Sequence, residues 1–442
     1  MAKSFDYTSL LALGCIWLVA LFLYILTNCI SPLLPDLMVD FNLSHSMGGF
    51  LYALPILMIA LFSYPLGIFS DRIGMEASIG YGATIAILSS LLRSFTASFD
   101  LLIVSTGIFG LGFAFCFPNL PKFVKERFSP QLSGTATGAY TTAIPFGTGL
   151  AMVLTRPILA VTGSWRNVLL VWSLMAVPTI GFWWIVGRLS AKRRAQLESR
   201  IVPQGIVEQE TAEPIRLEAS QNPSLSAPNL KKDTLHRTLN EKIEKGSSGS
   251  LFASLLVCGL LLALLNLIFY CTIGWLPTYL TECGWAASSA ATATSFISFL
   301  EIPAIFLIPL LSDRTGKRRL IIIMSFLSMA TCSAAVSVSP SLSWFAVPVF
   351  GITLGGVFSL LLALPVELVE TKKVGRAAGA IISIGYAGAL IGPPAAGYVR
   401  DLTGNFAAAF LATALVGLLA AALSYRLPKP LTTRKQEAET AG

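Results

Sequence analysis

Charged residues are scarce in this 442-residue chain: they make up 12% of it, against about a quarter in a typical soluble domain. The scarcity is uneven, because 19 of the 31 basic and 23 acidic residues lie in residues 188–250. Hydrophobic residues make up 54% of the chain. This composition excludes the soluble-enzyme, collagen and disordered classes, and it indicates a protein with many membrane-spanning segments.

Residues that build metal, redox and nucleotide sites are also few or poorly placed. The seven cysteines are scattered through apolar runs without metal-ligand spacing, so we expect buried thiols and no metal site. The two histidines, His45 and His236, lie in a connection and in the charged stretch, which makes a membrane enzyme or a receptor a distant alternative. The sequence has no Gly-x-x-x-x-Gly-Lys motif, so we expect neither ATP drive nor any cofactor.

Uncharged runs predict twelve membrane-spanning helices, since roughly 20 apolar residues cross the hydrocarbon core of a bilayer. The fold class is therefore an all-α membrane protein. It has a six-helix bundle in residues 1–187, a linker in residues 188–250, and a second six-helix bundle with its tail in residues 251–442. The third run is short, and we expect Arg93 at its end to snorkel to the membrane surface. The predicted runs are 7–35, 41–70, 77–92, 101–121, 128–155, 167–187, 246–281, 283–312 (interrupted by the single charge of Glu301), 320–366 (two helices that separate at 337–343), 377–399 and 402–425.

Lysine and arginine predict the orientation of these helices. The connections that follow helices 1, 3, 5, 7, 9 and 11 hold only Arg93, Arg156, Arg166 and Arg400. The other 27 of the 31 basic residues lie in the termini and in the connections that follow the even-numbered helices. We therefore expect a multi-pass protein of the cell membrane, surrounded by lipid bilayer, with both termini in the cytoplasm. The same bias accounts for the net charge of +8, so we expect no nucleic-acid partner.

The two six-helix bundles repeat each other at an offset of about 242 residues. Four matches lie in register along the bundles, which favours parallel repeats, one of the designs that serve alternating access. The matches are Leu34-Pro35 with Leu276-Pro277, Ser70-Asp71-Arg72 with Ser312-Asp313-Arg314, Gly134 and Gly138 with Gly375 and Gly379, and Thr162-Gly163 with Thr403-Gly404.

Both bundles carry a loop motif that resembles the signature of the major facilitator superfamily. The first copy reads Gly67-Ile-Phe-Ser-Asp71-Arg72-Ile-Gly74, and the second reads Ser312-Asp313-Arg314-Thr-Gly316-Lys-Arg-Arg319. Within that superfamily, residues 120–124, 163–166 and 392–404 are most similar to segments of the cyanate-permease-type anion transporters. The resemblance implies the major facilitator fold and a transporter that works by alternating access, and we expect a monomer.

In the superfamily this loop latches the outward-facing state of the transporter, which implies that Asp71, Arg72, Asp313 and Arg314 are gate residues. The motif also has a physical basis, because an acid near a helix N-terminus is favoured and can pair across its half of the protein. The alternative is that these charges belong to solvated loops. The first copy has Glu76 where the superfamily has a basic residue, which weakens the basic side of that latch.

Glu301 is the only acidic residue deep inside a predicted span, with eighteen uncharged residues before it and eleven after it. Thr294 and Ser298 share its helical face, and Pro303 follows two residues later. An acid in an apolar environment is costly and favours its neutral form, so Glu301 is a candidate for coupling proton movement to transport. The alternative is a neutral acid that is hydrogen-bonded to another helix.

Two pairs of polar residues occupy matching positions in helices 1 and 7. Helix 1 carries Tyr24 and Asn28, and helix 7 carries Asn266 and Tyr270 at the repeat offset, with the two residue types exchanged. In the superfamily that the chain resembles, helices 1, 4, 7 and 10 line the central cavity. This implies that the four side chains bind a small polar solute. The alternative is that they are packing contacts between helices.

Three further candidates for solute binding lie in helices 4, 5 and 11. Tyr140 and Tyr386 belong to helices 5 and 11, and tyrosines in such positions more often only pack. Asn119 lies between Pro118 and Pro121, where we expect helix 4 to break.

These features favour a secondary transporter that takes up a small polar or anionic solute with a coupling ion, for which we expect a proton. A proton-coupled exporter of drugs or metabolites is the alternative. Exporters of the superfamily usually carry an arginine in helix 4 where this chain has Thr106, and Pro145-Phe-Gly147 lacks their Gly-Pro pattern. Nitrate is disfavoured as the solute. The nitrate porters that resemble this chain use arginines within helices 2 and 8, and the predicted runs 41–70 and 283–312 contain none.

Overall fold

The computed structural model describes residues 7–201, 230–368 and 374–427. Within these ranges every regular element is helical, and twelve helices are long and apolar enough to cross a membrane. Each corresponds to one predicted helix, with two of them in the run 320–366, so the predicted fold class is confirmed. In chain order, helices 1 to 12 are Ser9–Phe41, His45–Ile73, Met75–Arg93, Phe99–Arg127, Gly134–Thr162, Trp165–Leu189, Ala253–Glu282, Ala287–Thr315, Arg318–Val338, Pro340–Leu364, Gly379–Thr403 and Phe406–Ser424.

Three of these helices consist of two shorter segments. In helix 4 the break comes at Phe117 and Pro118, directly before Asn119, as the two nearby prolines predict. The segments are Tyr7–Asn28 and Ile30–Phe41 in helix 1, Phe99–Cys116 and Asn119–Arg127 in helix 4, and Pro130–Thr141 and Ala143–Thr162 in helix 5.

Helices 6 and 7 continue beyond their membrane-length segments. Helix 6 runs as Trp165–Ile201 and helix 7 as Leu230–Glu282, so both ends of the charged stretch are helical. Residues 202–229, at its centre, lie outside the described residues. The division of the chain at residues 187 and 250 stays a prediction.

The repeat in the sequence is also a repeat in the contacts. An ideal Cβ atom at Gly147 in helix 5 would lie 2.6 Å from the carbonyl oxygen of Leu21 in helix 1. The equivalent residue in helix 11 is Gly388, where a Cβ would lie 1.7 Å from the carbonyl oxygen of Ala263 in helix 7. Glycine at both places lets two helices of one half approach closely, so the halves share one packing scheme.

Helices 1 and 7 meet on the axis that relates the two halves. The Ser31 hydroxyl, which is fully buried, donates to the carbonyl oxygen of Ile273 at 2.7 Å, and the carbonyl oxygen of Gly274 lies 2.9 Å away. Ile273 is the residue that corresponds to Ser31 at the offset of 242. A contact between equivalent residues is expected only near a symmetry axis, so the axis that relates the two halves passes between helices 1 and 7.

Arg93 does not reach the membrane surface, and that expectation was wrong. Its side chain is fully buried, and one guanidinium nitrogen donates to the carbonyl oxygen of Leu26 at 3.0 Å and to the Ser90 hydroxyl at 2.8 Å. The guanidinium carbon also lies 4.3 Å from the centre of the Phe109 ring. The side chain points into the first half because helix 1 and helix 4 supply acceptors and an aromatic face there.

The cysteines follow the prediction with one exception. Six of the seven are buried, and Cys283, in the connection after helix 7, is exposed.

Candidate functional site

Four tyrosines and one glutamate, which we call the tyrosine cluster, come together from five helices. Tyr24 of helix 1 interacts electrostatically with the other four. Tyr270 of helix 7 is likewise in range of Tyr386 and Glu301. The structure therefore brings together five residues that sequence analysis selected separately. The tyrosine cluster is Tyr24, Tyr140, Tyr270, Tyr386 and Glu301.

Glu301 is held in this cluster by close packing between helices 8 and 10. Its side chain is buried, and an ideal Cβ at Gly355 of helix 10 would lie 2.9 Å from its Cγ atom. Gly351, one turn earlier, would place a Cβ 2.4 Å from the carbonyl oxygen of Ile297. One turn before Glu301, the Ser298 hydroxyl is buried and has no hydrogen-bond partner among the described residues. Helix 8 thus presents a buried acid and a free hydroxyl on one face.

The two asparagines of helices 1 and 7 bind neighbouring helices of their own halves. The Asn28 amide nitrogen donates to the Thr148 hydroxyl at 3.1 Å and to the carbonyl oxygen of Tyr24 at 2.9 Å, while its oxygen accepts from Tyr52 at 2.7 Å. The Asn266 amide nitrogen donates to the carbonyl oxygen of Gly385 at 3.1 Å. These bonds occupy both amide hydrogens of Asn28, which favours the packing interpretation for that residue in this conformation.

Sequence analysis missed three aromatic residues beside the tyrosine cluster. The Tyr52 ring centre lies 6.4 Å from that of Tyr270, and Phe113 and Phe117 of helix 4 make edge contacts with Tyr24 and Tyr386 at 5.3 Å and 5.9 Å. A signal for Tyr52 was present, because the repeat offset relates it to Thr294 on the polar face of helix 8. The two phenylalanines carry no such signal, since apolar residues are common throughout the spans.

The predicted gate residues lie at the ends of helices 2 and 8, on the side of the bundle that we call the motif end. Asp71 forms an ion pair with Lys122 at 2.5 Å, within the first half. Asn119 lies close to Asp71, since its oxygen accepts from the Ser70 hydroxyl at 2.6 Å. Asn119 is thus placed beside the gate loop. The other gate residues, Arg72, Asp313 and Arg314, are exposed, and Glu76 pairs with Arg127 within the first half.

The opposite end, which we call the sealed end, is closed by contacts between the two halves. The carboxylate of Asp401, at the end of helix 11, accepts from the backbone N–H groups of His45 and Ser46 at 3.1 Å and 2.9 Å. It also lies 2.7 Å from the His45 ring nitrogen. Glu282 of helix 7 lies 3.5 Å from the His45 ring and 3.3 Å from the Arg400 guanidinium. These groups, which we call the latch, tie the start of helix 2 to helices 7 and 11.

Two related six-helix halves, closed at one end and joined by a largely buried polar cluster, define the class of membrane transporters for small solutes. The family model described as Major Facilitator Superfamily matches residues 16–393 and, in a second match, residues 259–442. The chain therefore belongs to the major facilitator superfamily. The described residues contain no group of three or more histidine, cysteine, aspartate or glutamate side chains suited to a metal ion.

The chain matches known transporters over nearly its whole length and nearly the whole length of theirs. The chain is 25% identical to the uncharacterized transporter YycB of Bacillus subtilis over 88% of this chain and 87% of that one. It is 22% identical to the cyanate transport protein CynX of Escherichia coli over 90% and 93% of the two chains. Among solved structures, a D-xylose–proton symporter superposes with a TM-score of 0.72 at 14% identity, over 95% of this chain and 98% of that one. The family and these relatives are transporters and not enzymes.

Proposed function

We propose that this protein takes up a small polar or anionic solute by proton-coupled alternating access, with the tyrosine cluster as its solute site. The observation that carries the proposal is the position of Glu301, a buried acid within electrostatic range of Tyr24 and Tyr270. These tyrosines come from opposite halves, so a solute that touches both is sensitive to their relative movement. A proton on Glu301 removes a buried charge, which couples its protonation to that movement.

We also propose that the motif end and both termini face the cytoplasm. The basic residues support this orientation, since few of them lie at the sealed end. In that orientation the latch closes the outer side of the protein. Asp71, Arg72, Asp313 and Arg314 would then act as gate residues when the motif end closes.

The proposed solute class follows from the chemistry of the cluster and is supported by one relative. Phenol hydroxyls both donate and accept hydrogen bonds, and the four rings add apolar area, which together suit a small polar molecule or a small anion. The name of the Escherichia coli relative CynX states cyanate, which is a small anion. Helix 4 has Thr106 rather than an arginine, so no feature of the described site favours the exporter alternative.

The test is uptake by purified protein in sealed vesicles, with radiolabelled cyanate, lactate and 2-nitroimidazole as probes. In the native protein, an inward proton gradient should drive accumulation of at least one probe. Because glutamine carries no titratable proton, Glu301→Gln should lower gradient-driven uptake at least tenfold and should leave counterflow exchange of the same probe intact. Unchanged gradient dependence in this variant would refute proton coupling through Glu301.

A further inference from the structure

An open cavity of about 520 Å³ lies at the sealed end, between the two halves of the molecule. Its walls include Asp36, Asp40, Arg156 and Arg166 from the first half and Ala287, the first residue of helix 8, from the second. This volume is within the usual range for a small-molecule site. The function proposed above makes no use of this cavity.

The two arginines of the cavity have hydrogen-bond donors to spare. The Arg156 guanidinium lies 2.9 Å from the Asp36 carboxylate. The Arg166 guanidinium donates to Asp40 at 2.8 Å and to the carbonyl oxygen of Thr96 at 3.2 Å. Since a guanidinium group carries five N–H donors, each arginine can bind a further acceptor without losing its aspartate.

The repeat relates this cavity to the latch. Ala287 corresponds to His45 at the offset of 242, so the start of helix 8 is the equivalent of the start of helix 2. At helix 2, the carboxylate of Asp401 binds the first backbone N–H groups of the helix. At the offset of 241 found in helices 5 and 11, Asp401 corresponds to Ala160, which has no carboxylate. The N-cap of helix 8 is Ala286, whose methyl group cannot accept a hydrogen bond.

A second difference between equivalent residues of the two halves explains why the cavity is open. Gly397 of helix 11 allows helix 2 to pack against it, since an ideal Cβ there would lie 2.3 Å from the carbonyl oxygen of His45. The residue equivalent to Gly397 is Arg156 in helix 5. A long side chain at this position prevents the same close contact with helix 8. One half thus has glycine and a carboxylate where the other has arginine and alanine.

We propose that the cavity binds a small carboxylate on Arg156 and the N-terminal N–H groups of helix 8. The ligand would take the place at helix 8 that Asp401 takes at helix 2. Both a guanidinium group and a helix N-terminus favour an anionic oxygen, and here they border the same cavity. If the cavity is an outer binding site for the transported solute, that role rests on the proposed function. Carboxylate binding in the cavity does not depend on it.

Trp165 lines the cavity and reports on its contents through its fluorescence. The experiment titrates full-length protein in lipid nanodiscs with acetate and lactate, at constant ionic strength, and with acetamide and lactamide as uncharged counterparts. The native protein should show a saturable change with the acids and none with the amides, and Trp165→Phe should remove it. Ala160→Asp, which supplies an internal carboxylate, should abolish the change, and Arg156→Gln should weaken binding at least tenfold.

Two variants serve as controls for these changes. Val161→Asp adds the same charge next to Ala160 on a residue that is 88% exposed, and it should bind like the native protein. Asp100→Asn, which removes an exposed acid at the start of helix 4 that does not line the cavity, should also bind like the native protein. Thermal unfolding shows whether each variant folds. If Ala160→Asp does not fold, the result for Arg156→Gln decides the test.

Three results would overturn the inference: no saturable change in the native protein, an equal change with the amides, or undiminished binding in both Ala160→Asp and Arg156→Gln. Failure of the proposed function gives a different result. If the protein binds acetate at Trp165 but transports no probe, the carboxylate site stands and the proposed function fails. If it transports a probe but binds no acid at Trp165, the proposed function stands and the carboxylate site fails.

Discussion

Tyr24 shows how a single side chain can serve both halves of the molecule. Its ring makes an edge contact with Phe113 of its own half, with centres 5.3 Å apart and an angle of 82° between the ring planes. It also interacts electrostatically with Tyr386 and Tyr270 of the other half. Edge contacts of this kind orient a ring, so Phe113 helps to fix the position of Tyr24.

Tyr24→Phe should weaken solute binding without disturbing the packing, because it keeps the ring and removes only the hydroxyl. A single hydrogen bond contributes about 1 kcal/mol, which corresponds to roughly fivefold in affinity. The measurement is the KM for uptake of whichever probe the native protein accumulates. Tyr64→Phe is the matched control, since Tyr64 is 80% exposed and its KM should not change. Equal KM values for the two variants would argue against a solute contact at Tyr24.

At the scale of elements, the pairing of helices 8 and 10 positions Glu301. Gly351 and Gly355 are four residues apart on one face of helix 10, and both face backbone atoms of helix 8. Small residues at this spacing let two membrane helices approach closely. The acid is thus fixed by packing of its own helix against helix 10, in addition to the groups around its carboxyl group.

Gly355→Ala should therefore disturb both stability and uptake. The added Cβ would lie 2.6 Å from the carbonyl oxygen of Glu301, so the helices must separate, at a cost of about 1–3 kcal/mol. Thermal unfolding and probe uptake measure the two effects. Gly107→Ala in helix 4 is the control, because a Cβ added there meets open space within 4 Å and both properties should stay near native. Native stability of Gly355→Ala would contradict this account of the packing.

At the scale of the whole molecule, the latch decides whether the sealed end can open. The His45 ring is packed against Trp275 and Phe406, with ring centres 5.9 Å and 5.4 Å apart, while Asp401 binds its backbone and its ring. These contacts join helices 2, 7, 11 and 12. They must break together when the halves separate at this end, so removing one group should favour separation.

Asp401→Asn should raise the population of molecules that are open at the sealed end. Asparagine lacks the charge and has one acceptor oxygen where the carboxylate has two, so it holds the start of helix 2 less well. Spin labels at Val39 and Val338, which are 85% and 84% exposed and belong to different halves, report the distance across this end. The background carries Cys283→Ser, because Cys283 is the exposed native thiol.

The matched control for this prediction is Asp100→Asn at the same end. Asp100 is an exposed acid in the first turn of helix 4 and belongs to one half only. This variant should keep the native distance distribution, whereas Asp401→Asn should add a longer component. An unchanged distribution in Asp401→Asn would show that the latch does not hold this end closed.

Sequence by itself determined the twelve helices, their division into two repeats and the superfamily of this protein. The bilayer makes the spans recognisable in the sequence, because each span needs about 20 apolar residues and must satisfy its own backbone hydrogen bonds. Glu301 was found for the same reason, since a charge inside such a span stands out.

Only the tertiary structure decided which faces of these helices meet. The sequence offers Tyr24 and Tyr386 as separate candidates for solute binding, but it does not place them beside Glu301, because helices far apart in the chain supply the three residues. Arg93 was misplaced for the same reason: its partners, Leu26 and Phe109, lie on other helices. The open cavity at Arg156 likewise depends on how closely helices 5 and 8 can pack, and packing between distant helices is a property of the folded chain.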